Sequence, residues 1–361
     1  MTEPLPPAAP AAPAAATAEP APGAQTMRAV EIRGGFGLDH LALAERPEPR
    51  PGHRQALVRV RAASLNYRDL LMAEGRYNPK QKLPLVPCSD GAGEVVAVGP
   101  GTSRVRPGDR VCGIFAQGWL AGEPTRDLVR TTLGGPLDGM LAEQVALSEE
   151  GLVKTPAHLS DVEAATLPCA AVTAWSALVE GGLKAGESVL LLGTGGVSLF
   201  ALQLAVMQGA RAIITSSSDE KLERARRLGA AEGINYRQVP DWGARVKELT
   251  GGEGVDYVLE VGGAATLPQS LQAVRGGGRI YLIGVLGGNT TEISIPAIQM
   301  RRLRVEGVLV GSRASFEALN RAVSMHKLRP VIDRTFPLAE ARAAFEHMAA
   351  GRHFGKICIE I

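Results

Sequence analysis

The sequence predicts a two-part α/β protein: a mostly β unit, followed by a doubly wound parallel sheet. Three observations point there. The chain has 361 residues, more than one hydrophobic core usually holds. Up to about Lys154 its apolar residues fall in short strand-like runs, and beyond Thr155 apolar β-rich runs alternate with amphipathic helical ones, the pattern of βαβ units. Within the second part, "SVLLLGTGGVSLFALQLA" (Ser188 to Ala205) passes from a buried-strand run through a glycine turn into an apolar helix.

Taken in order, residues 1–26 are Ala/Pro-rich without a basic n-region or a continuous apolar core. They read as a disordered or polyproline-like tail, not a signal peptide. Residues 27–154 carry the strand runs "MRAVEI", "ALVRVRAAS", "GAGEVVAVGPG" and "RPGDRVCGIF", punctuated by Gly and Pro. Residues 155–310 open on a helical stretch, "SDVEAATLPCAAVTAWSALVEG", with a Ser160/Glu163 capping box. "SVLLL", "RAIITS", "VDYVLEV" and "GRIYLIGV" follow as strands, separated by helices such as "DEKLERARRLG" and "DWGARVKELTG". Residues 311–361 hold two more helices and a last strand, "GKICIEI".

Composition narrows the function classes. A net charge of +2 without a basic run speaks against nucleic acid or an acidic membrane as a partner. No apolar run approaches the roughly 20 residues that span a bilayer. Four cysteines without a C-x-x-C pair fit a reducing cytoplasm. The six histidines show no H-E-x-x-H pattern, and His326, His347 and His353 read as surface residues. No G-x-S-x-G elbow supports nucleophilic hydrolysis.

Gly193-Thr194-Gly195-Gly196-Val197-Ser198 matches G-x-G-x-x-G except at its end, in the strand–turn–helix context that makes this motif informative. The first glycine allows the tight turn, and the second lets the backbone approach a pyrophosphate. The helix N-terminus then offers free N–H groups to phosphate. The third position serves close packing, where a small serine suffices. An NAD site would place a carboxylate about 20 residues past the first glycine. Here Thr215, Ser216 and Ser217 fill that slot, and Lys221 lies one turn on. That favours NADP(H) over NAD(H), although Ser217-x-x-Glu220 also reads as a capping box.

"AASLNYRDLLMAEGRY", "PCSDGAGEVVAVGPG", "RPGDRV", "LPCAAVTAWSAL", "GTGGVSLFALQLA", "LERARRLGAAEGINYR" and "GKICIEI" resemble, in order, the medium-chain dehydrogenase/reductase superfamily. Within it the match is to the zinc-independent quinone oxidoreductase-like branch. The resemblance covers nearly all of residues 27–361. It implies a Rossmann domain inserted into a GroES-like catalytic domain that is split in sequence, with the cofactor in the cleft. It also implies a homodimer, often paired through the last Rossmann strand, here near "RRLRVEGVLVG".

The resemblance also marks a departure. Where zinc-dependent relatives carry their first Cys ligand, this chain reads Leu65-Asn66-Tyr67-Arg68-Asp69. Where they carry Gly-His-Glu, it reads Cys88-Ser89-Asp90, and the four-Cys lobe is absent. Cys88 and Asp90 alone do not complete a tetrahedral zinc site, so no metal is expected and Cys88 reads as a small packed residue. Without a Lewis acid, a quinone or activated alkene suits the site better than an alcohol, because conjugation spreads the developing charge.

Asn66 and Tyr77 match cleft-lining positions of similar quinone reductases and are the candidate polar contacts to a substrate oxygen. A turn role for Asn66 and an ordinary loop role for Tyr77 stay open, and Asp69 and Asp90 read as loop braces. Thr173 resembles the residue beside the nicotinamide. Gly193, Thr194, Gly195, Gly196 and Val197 form the pyrophosphate turn, and Ser216, Ser217, Lys221 and Tyr236 surround the 2′-phosphate. Leu282, Ile283 and Val285 border the nicotinamide and its ribose. Lys356 sits where the family's last strand returns to the cofactor, a solvated lysine being the alternative. The leading expectation is an NADPH-dependent reductase of a quinone, enone or enal. A zinc-independent alcohol dehydrogenase or carbonyl reductase and a non-enzymatic NADPH-binding protein are the competing readings.

Overall fold

The computed structural model describes residues 25–361, so all but the last two residues of the expected tail lie outside the described residues. β1 (Thr26–Ile32) and β2 (Leu41–Pro47) form an antiparallel pair. β3 (Gln55–Leu65), β4 (Asp90–Val98), β5 (Arg110–Gly113), β6 (Gln144–Ser148) and β7 (Leu152–Lys154) build an antiparallel sheet.

A parallel six-stranded sheet follows. Its strands are β8 (Ser188–Leu191), β9 (Arg211–Ser216), β10 (Glu232–Asn235), β11 (Val255–Glu260), β12 (Val274–Leu282) and β13 (Arg304–Gly307). They lie in the order β10-β9-β8-β11-β12-β13. β14 (Ile332–Pro337) and β15 (Lys356–Glu360) return the chain to the first sheet. There β15 runs antiparallel to β3, with Ile357 opposite Leu65. The architecture is a Rossmann sheet inserted into a GroES-like β unit.

Side chains on β8 explain why its run is continuously apolar. Val189 and Leu191 pack on one face with Leu199 and Leu202 of the helix Gly196–Met207. Leu190 and the adjoining Leu192 pack on the other face with Trp242, Val246 and Leu271. Both faces are covered, so no polar alternation survives. The order also places the chain's reversal between β8 and β11, and ligands of open α/β sheets bind in the crevice at such a switch point. One apolar core joins Ala62, Ala92 and Cys112 of the first sheet, and Phe115 just beyond β5, to Leu199 and Phe200 below the glycine turn, so the two sheets pack on a common core.

Some elements were not visible in the sequence. β10 and β14 are short and carry few apolar residues. The stretch after Ser160 is capped as expected, with Glu163 N–H donating to Ser160 Oγ and the Glu163 carboxylate accepting Ser160 N–H. It is not one uniform α-helix, however. π-helical turns at Leu167–Ala171 and Ser176–Glu180 flank the α-turn Val172–Trp175, a local irregularity common near functional sites. Thr173, buried, sits between them.

Candidate active site

The glycine turn closes β8 and opens the helix Gly196–Met207. Gly193 has φ +72°, a conformation that favours glycine, and its N–H donates to Thr215 Oγ1 at 3.1 Å. Gly195 is different: at φ −84°, ψ −176° any residue would fit, and a Cβ added there would meet no atom within 4 Å. Nothing in the protein itself requires glycine at that position. Glycine there leaves the backbone open on that side. The helix has no side-chain cap, so its first N–H groups, on Gly196 and Val197, are left for an anion. A dinucleotide pyrophosphate fits this cradle.

Ser198, at the third motif position, is buried and donates to Leu192 O at 2.7 Å. It ties the helix to the strand it leaves, which is the packing task of the missing glycine. On the far side the C-terminal chain closes the turn: Gly355 N–H donates to Thr194 O at 3.0 Å. A Cβ on Gly196 would fall 2.6 Å from Lys356 Cδ, so that glycine serves packing within the chain.

At the end of β9 the structure corrects the capping reading. The helix Asp219–Arg227 is capped by Ser218, whose Oγ accepts Lys221 N–H, and not by Ser217. Ser217 lies half-buried one residue before the cap, and Ser216 is buried with Tyr236 N–H donating to its carbonyl. Tyr236 is exposed, while Lys221 Nζ donates to His353 O at 2.9 Å. Burial lowers the Lys221 pKa, with Asp333 opposing.

Two histidines expected at the surface are only partly exposed. His347 is half-buried and pairs with Asp333 at 2.8 Å. His353 packs beside it, its rings 6.5 Å apart, and burial pushes its pKa down to about 4. Asp333, which pairs with His347 and accepts the Phe354 N–H at 2.8 Å, anchors the segment that carries Gly355 and Lys356 into the site. Their burial is tertiary, so polar neighbours in sequence gave no sign of it.

Lys356 is not solvated. It is 3% exposed and donates to Leu65 O and to Asn66 Oδ1, both at 2.6 Å. Asn66 Nδ2 donates to Ser89 Oγ at 3.3 Å, Ser89 Oγ to Asp90 Oδ1 at 2.7 Å, and Cys169 N–H to Asp90 Oδ2 at 3.0 Å. Asp69 Oδ2 accepts Asn66 N–H at 2.8 Å, so Asn66 also opens the helix Tyr67–Ala73. Burial raises the Asp69 carboxyl to about 6 against the pull of Arg68, and raises Asp90 against the pull of Lys356. Cys88 is fully buried, and burial drives its thiol well up.

Tyr77 is half-exposed and reached through Arg68, whose guanidinium lies 4.9 Å from its ring and 5.1 Å from that of Phe115. Arg68 is buried and donates to the Leu133 and Gly135 carbonyls, fastening that loop to the helix Tyr67–Ala73. Sequence reasoning had missed this role; an arginine on the buried face of a short helix was the available signal. Leu282 and Ile283 are half-buried and Val285 is exposed. Ile283 and Gly284 N–H groups both donate to Glu260 O. Glu260 itself was also missed: fully buried, it accepts from Gly262 N, Gly263 N, Thr266 Oγ1 and Ser270 Oγ, and so shapes the loop after β11.

With this geometry in place, two family models match the chain. One, described as zinc-binding dehydrogenase, matches residues 196–325, and one described as alcohol dehydrogenase GroES-like domain matches residues 52–157. A zinc-type alcohol dehydrogenase-like protein of Schizosaccharomyces pombe is 41% identical over 90% of this chain and 96% of its own. Among solved structures, an NAD-dependent alcohol dehydrogenase is 36% identical with a TM-score of 0.85, covering 93% of this chain and 100% of that one. The crotonyl-CoA carboxylase/reductase AntE in complex with NADP is 25% identical with a TM-score of 0.82, covering 93% and 94%.

Proposed function

The chain belongs to the medium-chain dehydrogenase/reductase superfamily, and from that premise we propose that it is an NADPH-dependent oxidoreductase reducing a quinone, enone or enal without zinc. The observation that carries this reading is the composition of the cluster beside the glycine turn. Asn66, Ser89, Asp90 and Lys356 offer N–H and O–H donors and one carboxylate. Zinc needs thiolate, imidazole or carboxylate donors in a tetrahedral set. Among the described residues no group of three or more His, Cys, Asp or Glu is placed to hold a metal ion. The zinc in the relatives' descriptions does not fit these side chains.

When bound, NADPH supplies a hydride. The chain's own residues do the rest. Gly195, Gly196 and Val197 would receive the pyrophosphate on backbone N–H groups, while Gly193, whose own N–H is held by Thr215 Oγ1, and Thr194 make the turn beneath it. Ser216, Ser217, Lys221 and Tyr236 take the 2′-phosphate, with no carboxylate among Thr215, Ser216 and Ser217 to repel it. Thr173, Leu282, Ile283 and Val285 border the nicotinamide end. Asn66 Nδ2 and the Tyr77 hydroxyl donate to the substrate oxygen, where negative charge builds up. Hydrogen-bond donors meet that charge more easily where conjugation spreads it, which favours quinones and activated alkenes over simple alcohols. The crotonyl-CoA reductase among the structural relatives supports the alkene class, and its NADP supports the phosphorylated cofactor.

In this reading a second copy of the chain pairs along β13, the outer edge of the six-stranded sheet, which follows the exposed Ile293, Ile295 and Met300. The test is a panel of quinones, enones, aldehydes and alcohols followed at the nicotinamide absorbance with NADPH and NADH, beside the zinc content of the purified protein. Turnover of conjugated electrophiles with NADPH is the expected result. Stoichiometric zinc, or turnover confined to simple alcohols with NAD⁺, would overturn the proposal and favour the alcohol dehydrogenase reading.

A further inference from the structure

Lys356 stands among the residues at the places where zinc-dependent relatives keep their ligands. Its ammonium lies between Leu65 O and Asn66 Oδ1, and Asn66 reaches on to the Ser89–Asp90 pair, which also accepts the Cys169 N–H. A buried cation therefore already lies in this cluster.

We infer that Lys356 is a positioning residue whose ammonium takes the place of the metal and holds the Asn66 amide in one orientation, its NH₂ edge facing Ser89 and the substrate oxygen. This rests on the reading of Asn66 as a substrate contact.

The direction of every hydrogen bond in the relay is forced from its two ends. An ammonium only donates, so Asn66 Oδ1 must accept from Lys356 at 2.6 Å. A carboxylate accepts, so the Ser89 hydroxyl gives its hydrogen to Asp90 at 2.7 Å. Ser89 Oγ must then accept from Asn66 Nδ2 at 3.3 Å. The amide nitrogen carries two hydrogens; Ser89 uses one, and a substrate oxygen competes with the Asp90 carboxylate for the other. Without the ammonium the amide is free to turn over and present its oxygen, which repels a developing oxyanion. Asn66, with a relative exposure of 9%, lies at the edge of the buried cluster, whereas Lys356 lies within it. The lysine therefore works through the amide and not by reaching a pyrophosphate. Its stem runs beneath Gly196, where a Cβ would fall 2.6 Å from Cδ, so one side chain sets the floor of the glycine turn and the relay together.

The test uses the full chain and the variants Lys356→Met, Asp90→Asn and their combination. Lys356→Met is expected to lower kcat on an enone about 100-fold, the loss typical of one oxyanion donor. NADPH affinity, read by fluorescence titration without substrate, is expected to stay within about threefold. Denaturant midpoints supply a readout free of turnover: because each single variant strands the other's charge, the double variant should be no less stable than the weaker single one. Additive losses in midpoint would overturn the relay. So would weakened NADPH binding with kcat intact, which would make Lys356 a cofactor contact, or stoichiometric zinc in the parent protein. If the parent turned over no electrophile at all, the functional reading would fail, while the midpoint coupling would still decide whether the relay exists.

Discussion

Gly195→Ala separates what the ligand needs from what the chain needs. The residue's φ and ψ are ordinary, and an added Cβ meets no protein atom within 4 Å. Alanine should therefore cost the fold no more than about 1 kcal/mol, the scale of a weaker helix N-cap. The methyl instead stands in the open space over the turn, holding a pyrophosphate away from the N–H groups of Gly196 and Val197. One charge-assisted hydrogen bond is worth about 1.5–3 kcal/mol, so NADPH affinity should fall roughly 10- to 150-fold. Fluorescence titration gives the affinity and thermal unfolding gives the stability. Neighbouring glycines serve as controls. Gly193→Ala should carry a left-handed backbone penalty of about 1–2 kcal/mol at φ +72°. Gly196→Ala should clash with Lys356 Cδ and crowd Ala170 Cβ at 3.3 Å, lowering stability before binding is considered. Gly195→Ala binding NADPH as tightly as the parent would refute the placement of the pyrophosphate over this turn.

Ser198→Ala should cost about 1–2 kcal/mol in chemical denaturation, because the buried Leu192 carbonyl loses its donor, and should leave NADPH affinity unchanged. Lys221→Ala should weaken NADPH about tenfold while NADH binding stays the same; equal effects on both cofactors would remove Lys221 from the 2′-phosphate site. Burial holds His353 at about 4, below its usual 6.5, so the folded chain binds fewer protons there than the unfolded chain between those values. Its contribution to stability is complete above pH 6.5 and is lost as pH falls towards 4. Unfolding midpoints of His353→Gln should flatten in that window, and an unchanged pH profile would contradict the assigned burial.

The glycine turn and the parallel sheet were legible because both are written in local pattern. A strand buried on two faces must be apolar throughout, and a turn that approaches phosphate must lack side chains at fixed spacing. Ser198 could be read as a small packing residue for the same reason. The cap at the end of β9 was misplaced by one residue because three serines stand in a row, and only the backbone decides which of them leaves the helix. His347 and His353 were misread because their burial depends on Asp333 and on each other.

The sequence by itself determined the fold class, the strand–glycine–helix unit and the lack of a carboxylate at the end of β9, since each depends on residues within a few turns of one another. Tertiary structure alone decided what Lys356 meets. Its partner Asn66 lies 290 positions away, and only the antiparallel seating of β15 on β3 brings a lysine that local pattern would leave in water under the protein's surface. Hydrogen-bond directions follow from such long-range contacts, which periodicity and spacing do not encode.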